Sequence, residues 1–172
     1  MKAIIGDICY PKSKAVILPD DSLGTMQIII NSRVSDVGFG LIVKESKKIL
    51  ENKKVELGGC FVTYPGRLKR RGVEKIYHVV IKKMQSDFTS LYIIQKGVEN
   101  AFKQVVRDKV EEVSICGIGI GPGELDPLSV AGIIVDICKR YNHKVKIKII
   151  DNNEIFINEV NKRIKGTVYE KP

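Results

Sequence analysis

The stretch Glu112-Val-Ser-Ile-Cys-Gly-Ile-Gly-Ile-Gly-Pro-Gly-Glu-Leu-Asp-Pro-Leu-Ser129 decides the fold. Its residues 113–118 form a short apolar run rich in β-branched side chains, which predicts a buried strand. Glycines at alternate positions, Gly119, Gly121 and Gly123, then end the run. A helix is predicted to begin at Asp126-Pro127, because Asp is a preferred N-cap and Pro suits the first helical turn.

This strand, loop and helix could hold an anion. A glycine loop exposes backbone N–H groups, and the N-terminus of a helix adds partial positive charge. The spacing of the glycines is neither that of a P-loop nor that of the dinucleotide fingerprint Gly-x-Gly-x-x-Gly. An ordinary βα turn that needs glycine for a positive φ angle therefore stays open as the alternative.

Length and composition limit what the chain can be. The 172 residues fit one domain with its own core, and we expect residues 1–166 to form it and 167–172 to be a tail. The net charge of +9 favours anionic partners, although abundant Lys, Glu and Ile also suit a thermophile. The four cysteines show no metal-binding spacing, so we expect no metal and no disulfide framework. No apolar run approaches the length of a membrane span, so we expect a soluble, cytoplasmic protein. We also expect no cofactor.

Working outward, strands and helices alternate along most of the chain. Strands are predicted at 2–5, 14–18, 59–64, 73–81 and 144–150, and helices at 39–50, around 91–106, at 128–140 and after Asn152 or Asn153. Residues 26–34 favour a strand by propensity but a helix if Thr25 is a cap. The order predicts an α/β fold, a three-layer α/β/α sandwich on a mixed sheet. Three loops at carboxyl ends of strands have the composition of a site, at 6–8, 19–24 and 119–124.

Together these features resemble the macro domain, the ADP-ribose-binding module. Gly6-Asp7-Ile8 and the strand Lys14-Ala15-Val16-Ile17 resemble the opening of that family. The segment from Gly59 to Pro65 and the segment Tyr77-His78-Val79-Val80 resemble its central strands. Val113-Ser114-Ile115 and the glycine loop resemble its phosphate-loop region. The order of these motifs, rather than any single one, carries the resemblance.

The resemblance implies a binding site for ADP-ribose or a related adenine nucleotide. Asp7 is then the acceptor for the adenine N6 amine, with the Ile8 amide beside it, and Asp21 is the catalytic candidate. An ionised carboxylate only accepts hydrogen bonds and an exocyclic amine donates them, so the pairing is chemically sound. The remaining implied ligand contacts belong to the distal ribose and the diphosphate: Asp20, Ser22, Gly24, Gly119, Ile120, Gly121, Gly123 and Glu124.

The chain departs from the family at the strand that normally ends Asn-Ala-Ala-Asn. Here the stretch is Leu18-Pro19-Asp20-Asp21, which places Asp21 where the second Asn holds the distal ribose. Because the donor of that amide is lost, we expect any hydrolysis of ADP-ribosyl esters to be weak. A carboxylate about 6 Å from a phosphate costs roughly 0.7 kcal/mol in water and almost 3 kcal/mol at an effective dielectric near 20. Diphosphate binding therefore depends on where Asp20 and Asp21 point.

A second class of function is open. The basic segment Arg67-Leu-Lys-Arg-Arg71 and the net charge suit a macro-like nucleic-acid binding protein, an RNA binder, that has lost ADP-ribose recognition. Few aromatic residues lie near that segment, Tyr64 being the closest, and this weakens a binding mode that depends on base stacking. His78 alternates with apolar neighbours inside a strand, which indicates a core histidine.

Overall fold

The computed structural model describes residues 1–26, 39–84, 86–121 and 124–166. The strands are β1 (Lys2–Ile5), β2 (Ala15–Asp21), β3 (Cys60–Thr63), β4 (Lys75–Lys82), β5 (Glu112–Ile115) and β6 (Lys146–Asp151). The helices are α1 (Phe39–Asn52), α2 (Leu91–Arg107), α3 (Pro127–Tyr141) and α4 (Glu154–Lys165), with a 3-10 helix at Gly66–Arg71. Within the described ranges, every helix is too short or too polar to cross a membrane.

The strands form one mixed sheet in the order β1-β6-β5-β2-β4-β3. Each neighbouring pair is parallel except β3 and β4, which are antiparallel. The carboxyl ends of the five mutually parallel strands therefore lie along one edge of the sheet, which we call the carboxyl edge. The amino ends of the same strands define the amino edge.

Helices cover both faces of this sheet. Across the sheet, the connection from β2 to β4 runs towards the β3 edge. The connections from β4 to β5 and from β5 to β6 run the opposite way, towards the β1 edge. Because crossovers between parallel strands are right-handed, α1 lies on one face and α2 and α3 lie on the other. Helices α2, α3 and α4 contact one another in sequence order. The three-layer sandwich predicted from the sequence is confirmed.

The core is made by the central strands and the helices above them. All seven residues of β2 are buried, and α3 buries apolar side chains around most of its circumference. Helix α2 lies especially close to β4, because a Cβ atom on Gly97 would be 2.2 Å from Cγ1 of Val79. Glycine is the one residue that fits there without a shift of the helix or of Val79.

The boundaries of some elements differ from the sequence prediction. Strand β5 ends at Ile115 rather than 118, because the N–H of Gly117 donates to the side chain of Asp151 instead of to a strand. Strand β2 continues through Pro19 to Asp21. The stretch between β3 and β4 contains the 3-10 helix, which begins directly after Pro65. Of the ambiguous segment 26–34, residues 27–34 lie outside the described residues, as does the predicted tail.

Candidate functional site

The loops that the sequence marked as site-like meet at the carboxyl edge. Asp7 follows β1, Asp20 and Asp21 end β2, and Gly119 follows β5. Strand β6 lies between β1 and β5, so their ends are about 10 Å apart, and β5 is the direct neighbour of β2. The chain leaves β2 and β5 in opposite directions, and ligands of open α/β sheets bind at such a switch point. We call the edge from Asp7 to the end of β4 the slot.

Asp7 holds the turn that leaves β1. Its Oδ1 accepts a hydrogen bond of 2.8 Å from the N–H of Cys9, and its backbone oxygen accepts one of 2.9 Å from Tyr10. Asp7 and Ile8 are both half-buried. Among the described residues Oδ2 of Asp7 has no hydrogen-bond partner, so this oxygen is available to an amine.

Asp20 turns into the protein. It is fully buried, and Oδ1 accepts hydrogen bonds of 2.8 Å from the N–H groups of Asp21 and Met26. Its Oδ2 lies 3.0 Å from Nδ1 of His78, whose Nε2 lies 2.8 Å from Oγ1 of Thr63. The His78 ring is also fully buried and stacks on Phe61, as expected for a core histidine. The predicted contact of Asp20 with a ribose stays a prediction, and the structure gives its carboxylate interior partners instead.

Asp21 caps the loop that follows β2. Its Oδ1 accepts from the N–H groups of Leu23, at 2.8 Å, and Thr25, at 3.2 Å, and its Oδ2 is bonded to the Thr25 hydroxyl. Gly24 in this loop has a φ angle of 65°, a conformation that favours glycine. Ser22 is bound to the end of β4, because its N–H donates to the carbonyl of Lys82. Asp21 is 1% exposed, and its carboxylate is occupied by these contacts. The catalytic role predicted for it stays a prediction.

The two carboxylates are buried and turned to partners inside the protein. Between them they bind four backbone N–H groups of the loop 21–26, besides a hydroxyl and an imidazole. The same bonds fix the loop in one conformation.

The loop after β5 contains the predicted phosphate-binding residues. Gly119 has a φ angle of 87°, and a Cβ atom there would be 2.9 Å from Cδ1 of Ile94 in α2. Its carbonyl accepts from Leu125, and that of Gly121 from Glu124, so the loop folds back on itself. Ile120 is half-buried and Gly121 is exposed. The predicted residue Gly123 lies outside the described residues.

The N-terminus of α3 is already capped by the protein. Asp126 accepts hydrogen bonds from the N–H groups of Leu128 and Ser129 and from the hydroxyl of Ser129. The hydrogen bonds from Ser129 hold the pKa of Asp126 below its ordinary value. The predicted cap is confirmed, but it satisfies the first-turn amides that would bind an anion. A phosphate in the slot would therefore contact the loop before the helix.

Sequence reasoning missed Lys82, the last residue of β4. Its side chain is 8% exposed, and its Nζ lies 2.5 Å from Oε1 of Glu124, across the end of β2. The other carboxylate oxygen of Glu124 is buried and has no hydrogen-bond partner among the described residues. A lysine that follows an unbroken apolar strand, as in Val79-Val80-Ile81-Lys82, is the signal that could have identified it.

Asp151 was also missed. It ends β6, between Asp7 and the glycine loop, and accepts hydrogen bonds of 2.8 Å from the N–H groups of Gly117 and Asn153. Burial raises its pKa despite these bonds, so its charged form is held at some cost. Its position directly after a predicted strand was the available signal.

A cavity of about 380 Å³ opens beside the loop 21–26. It is lined by Ser22, Lys83, Leu50 and residues 54–57. Gly24 packs against Ser46 and Leu50, so the loop contacts α1 near this cavity.

A family model for the Macro domain matches residues 36–134, more than half of the chain. The chain belongs to the Macro domain family. The matched residues run from before α1 into α3 and contain β3, β4, β5 and the glycine loop. Among curated proteins no match was found.

Solved macrodomains have the same fold as this macro domain. A mutant of the Oceanobacillus iheyensis macrodomain with ADPR has a TM-score of 0.79 at 14% identity, covering 98% of this chain and 93% of that one. The macrodomain of Mycobacterium tuberculosis DarG has a TM-score of 0.71 at 20% identity, covering 87% and 98%. The Trypanosoma brucei macrodomain in complex with ADP has a TM-score of 0.77 at 11% identity, covering 94% and 67%. At these identities the likeness concerns the fold.

Proposed function

We propose that this macro domain binds ADP-ribose in the slot. The observation that carries the proposal is the order of groups along the carboxyl edge. Asp7 at β1 is followed by Asp151 at β6, the glycine loop at β5, the loop 21–26 at β2 and Lys82 at β4. Four strand spacings separate β1 from β4, which gives about 19 Å for an extended ligand. Similar folds carry ADPR and ADP, which supports a ligand with an adenine and a diphosphate.

Each end of the ligand has a suitable partner. The free Oδ2 of Asp7 accepts the adenine N6 amine while Oδ1 keeps the turn. The backbone of residues 117–121 faces the diphosphate, and the loop 21–26 with Lys82 faces the distal ribose. Asp20 acts here through the loop, whose amides it binds, rather than by touching the ribose.

Calorimetric titration with ADP-ribose tests the proposal. Loss of a hydrogen bond to a charged acceptor costs roughly 1.5–3 kcal/mol, so Asp7→Ala should weaken binding about 10- to 150-fold. Asp136→Ala is the matched control, because Asp136 is exposed on α3, away from the carboxyl-edge loops. Equal affinities of the wild type, Asp7→Ala and Asp136→Ala, or no binding by any of them, would contradict the proposal.

Lys82 and Glu124 give the slot a chemical pair for ester hydrolysis. Glu124 lies close enough to take a proton from the Lys82 ammonium, and a neutral amine is a nucleophile. We propose that this amine forms a bond to C1″ of the distal ribose as the C1″–O ester bond breaks, and that the acceptor carboxylate leaves with the electron pair and receives the proton that Glu124 had taken. Glu124, again a carboxylate, then takes a proton from the water that attacks C1″. The Nζ–C1″ bond breaks with its electron pair on Nζ, the proton on Glu124 returns to Nζ, and ADP-ribose leaves.

The chemistry is tested by Lys82→Arg and Glu124→Gln. Arginine keeps the positive charge but is not a nucleophile, so Lys82→Arg should bind ADP-ribose and fail to hydrolyse an ADP-ribosylated glutamate peptide. The Nζ–C1″ adduct opens at the ribose ring oxygen, which takes a proton from nitrogen, to give an iminium. Cyanoborohydride should reduce this iminium to a stable adduct at Lys82 in the wild type, detectable by mass spectrometry. Unchanged hydrolysis by Lys82→Arg, with loss in Asp21→Asn instead, would return the catalytic role to Asp21.

RNA binding is the second candidate function. The observation that favours it is a group of exposed basic residues on α1 and the 3-10 helix, which follows β3 and precedes β4. The 3-10 helix is at the amino edge of β4, whereas the slot is at the carboxyl edge. An RNA bound to these basic residues would use side chains other than those proposed for ADP-ribose.

A further inference from the structure

Six exposed basic residues form one surface of α1 and the 3-10 helix, which we call the basic face: Lys44, Lys47, Lys48, Arg67, Lys69 and Arg70. The two elements are in contact, and the N–H of Tyr64 donates a hydrogen bond of 3.0 Å to Oε2 of Glu45 in α1. Helix α1 also carries the acids Glu45 and Glu51, so this surface has a net charge of 6 − 2 = +4, out of +9 for the chain.

Five of the six basic residues of the basic face form no ion pair with the described part of the protein. Ion pairs within the described part of the chain involve other basic residues, and none of them includes Lys44, Lys47, Lys48, Lys69 or Arg70. Structural cations are normally paired, as Lys82 is. A group of cations left to solvent on neighbouring elements forms a field that attracts an anionic partner.

The 3-10 helix that carries half of these charges is held firmly. Leu68 is 1% exposed, and Gly72 ends the helix at a φ angle of 84°. The N–H of Gly72 donates to the carbonyl of Lys69, and the N–H of Val73 donates to the carbonyl of Leu68. The guanidinium of Arg71 donates a hydrogen bond of 2.7 Å to the carbonyl of Cys9 and lies 3.7 Å over the ring of Tyr10. Leu68 and Arg71 therefore anchor the helix and leave Lys69 and Arg70 exposed on a fixed backbone.

An aromatic ring stands beside these charges. Tyr64 is 77% exposed and lies between β3 and the 3-10 helix. Its backbone is bound to Glu45, and Lys44 and Lys48 lie on either side of Glu45 within one helical turn. An exposed ring next to cations is the arrangement that stacks an unpaired base while its phosphates are bound.

We infer that the basic face binds a single-stranded nucleic acid. Its phosphates contact Lys44, Lys48, Lys69 and Arg70, and one base stacks on Tyr64. A duplex keeps its bases paired and gains nothing from the ring, and an anionic membrane or an acidic protein needs no stacking platform. The inference rests on the second candidate function. It uses none of the residues proposed to bind ADP-ribose, although α1 also packs on the slot loop through Ser46 and Leu50.

Fluorescence anisotropy with labelled twelve-nucleotide oligo-U and oligo-dT tests the inference. Four phosphate contacts predict that log K falls with log salt with a slope of about −3, since each contact contributes about −0.7 for single strands. Replacing Lys44, Lys48, Lys69 and Arg70 by Glu should abolish measurable binding. A control with the same change in charge replaces four exposed lysines elsewhere and should lose less than about tenfold: Lys103, Lys109, Lys162 and Lys165.

Tyr64→Ala separates single strands from other anions. Stacking is worth about 1–3 kcal/mol per base, so this variant should bind oligo-U about 5- to 150-fold more weakly and a duplex of equal length unchanged. The inference is overturned if the control charge variant loses as much as the basic-face variant. It is also overturned if Tyr64→Ala binds as the wild type does, or if vesicles with anionic lipid or a poly-glutamate peptide bind and oligonucleotides do not. ADP-ribose titration of each variant reports separately on the slot and on folding.

Discussion

Removing the carboxylate of Asp20 should destabilise the protein severely. In Asp20→Ala the N–H groups of Asp21 and Met26 and the Nδ1 of His78 lose an acceptor inside a fully buried site. Each buried polar group left unsatisfied costs about 1–3 kcal/mol, and three groups lose an acceptor here. The residual neighbours relax in part, so we expect a loss of about 3–5 kcal/mol in the free energy of unfolding.

Asp20→Asn is the matched variant. Its Oδ1 still accepts from both backbone N–H groups, and only the bond between the carboxylate and His78 is changed, so the loss should be smaller, about 1.5–3 kcal/mol. Urea unfolding measures both variants. For a chain of this size, Asp20→Ala should also lower Tm by about 6–20 °C.

The coupling between Asp20 and His78 provides a second check on the same network. In a double-mutant cycle of Asp20→Ala and His78→Phe, the two losses should fail to add by about 1 kcal/mol or more, because each substitution removes the same interaction. The reasoning is refuted if Asp20→Ala costs less than about 1 kcal/mol, or if Asp20→Asn costs as much as Asp20→Ala.

Three further substitutions follow from individual contacts. Gly97→Ala should destabilise by about 1–3 kcal/mol despite the better helix propensity of Ala, because its Cβ would clash with Val79, and unchanged thermal unfolding would contradict this. Burial alone would raise the pKa of Asp108, but hydrogen bonds, the largest from Lys75, hold it below its ordinary value. A lowered pKa stabilises the protein above about pH 4 and the effect disappears as pH falls through the native pKa, so Asp108→Asn should cost stability at pH 7 and little at pH 2.5, and an equal cost at both would refute it. Asp126→Ala should reduce helix content measured by circular dichroism, and a matching Asp126→Asn, which keeps a capping oxygen, should not.

Periodicity was enough to predict the architecture. The alternation of apolar strands such as 113–118 with amphipathic segments such as 91–106 required layers of helix on a sheet, and the Asp-Pro pair at 126–127 marked the start of α3. Local sequence patterns failed to predict element boundaries that long-range contacts determine. Strand β5 stops early because Gly117 pairs with Asp151, 34 residues away, and no local pattern shows that pair.

The sequence predicted where the loops of the candidate site lie in the fold, but not the directions of their side chains. Which loops share the carboxyl edge follows from parallel strands, so Asp7 and Gly119 were assigned to one edge correctly. The direction of the Asp20 carboxylate depends on His78, which the register of β2 and β4 brings opposite Leu18, one strand away. Lys82 was missed for the same reason, because its partner Glu124 lies across β2 in a loop that composition alone assigns to phosphate.

A crystal structure of the complex with ADP-ribose tests the central claim most directly, because it shows which residues share one ligand. We expect the adenine N6 atom within about 3 Å of Oδ2 of Asp7, the diphosphate against residues 117–121, and the distal ribose between the loop 21–26 and Lys82. Density for ADP-ribose at another surface, or an empty slot at saturating ligand with the loop 21–26 unchanged, would contradict the account.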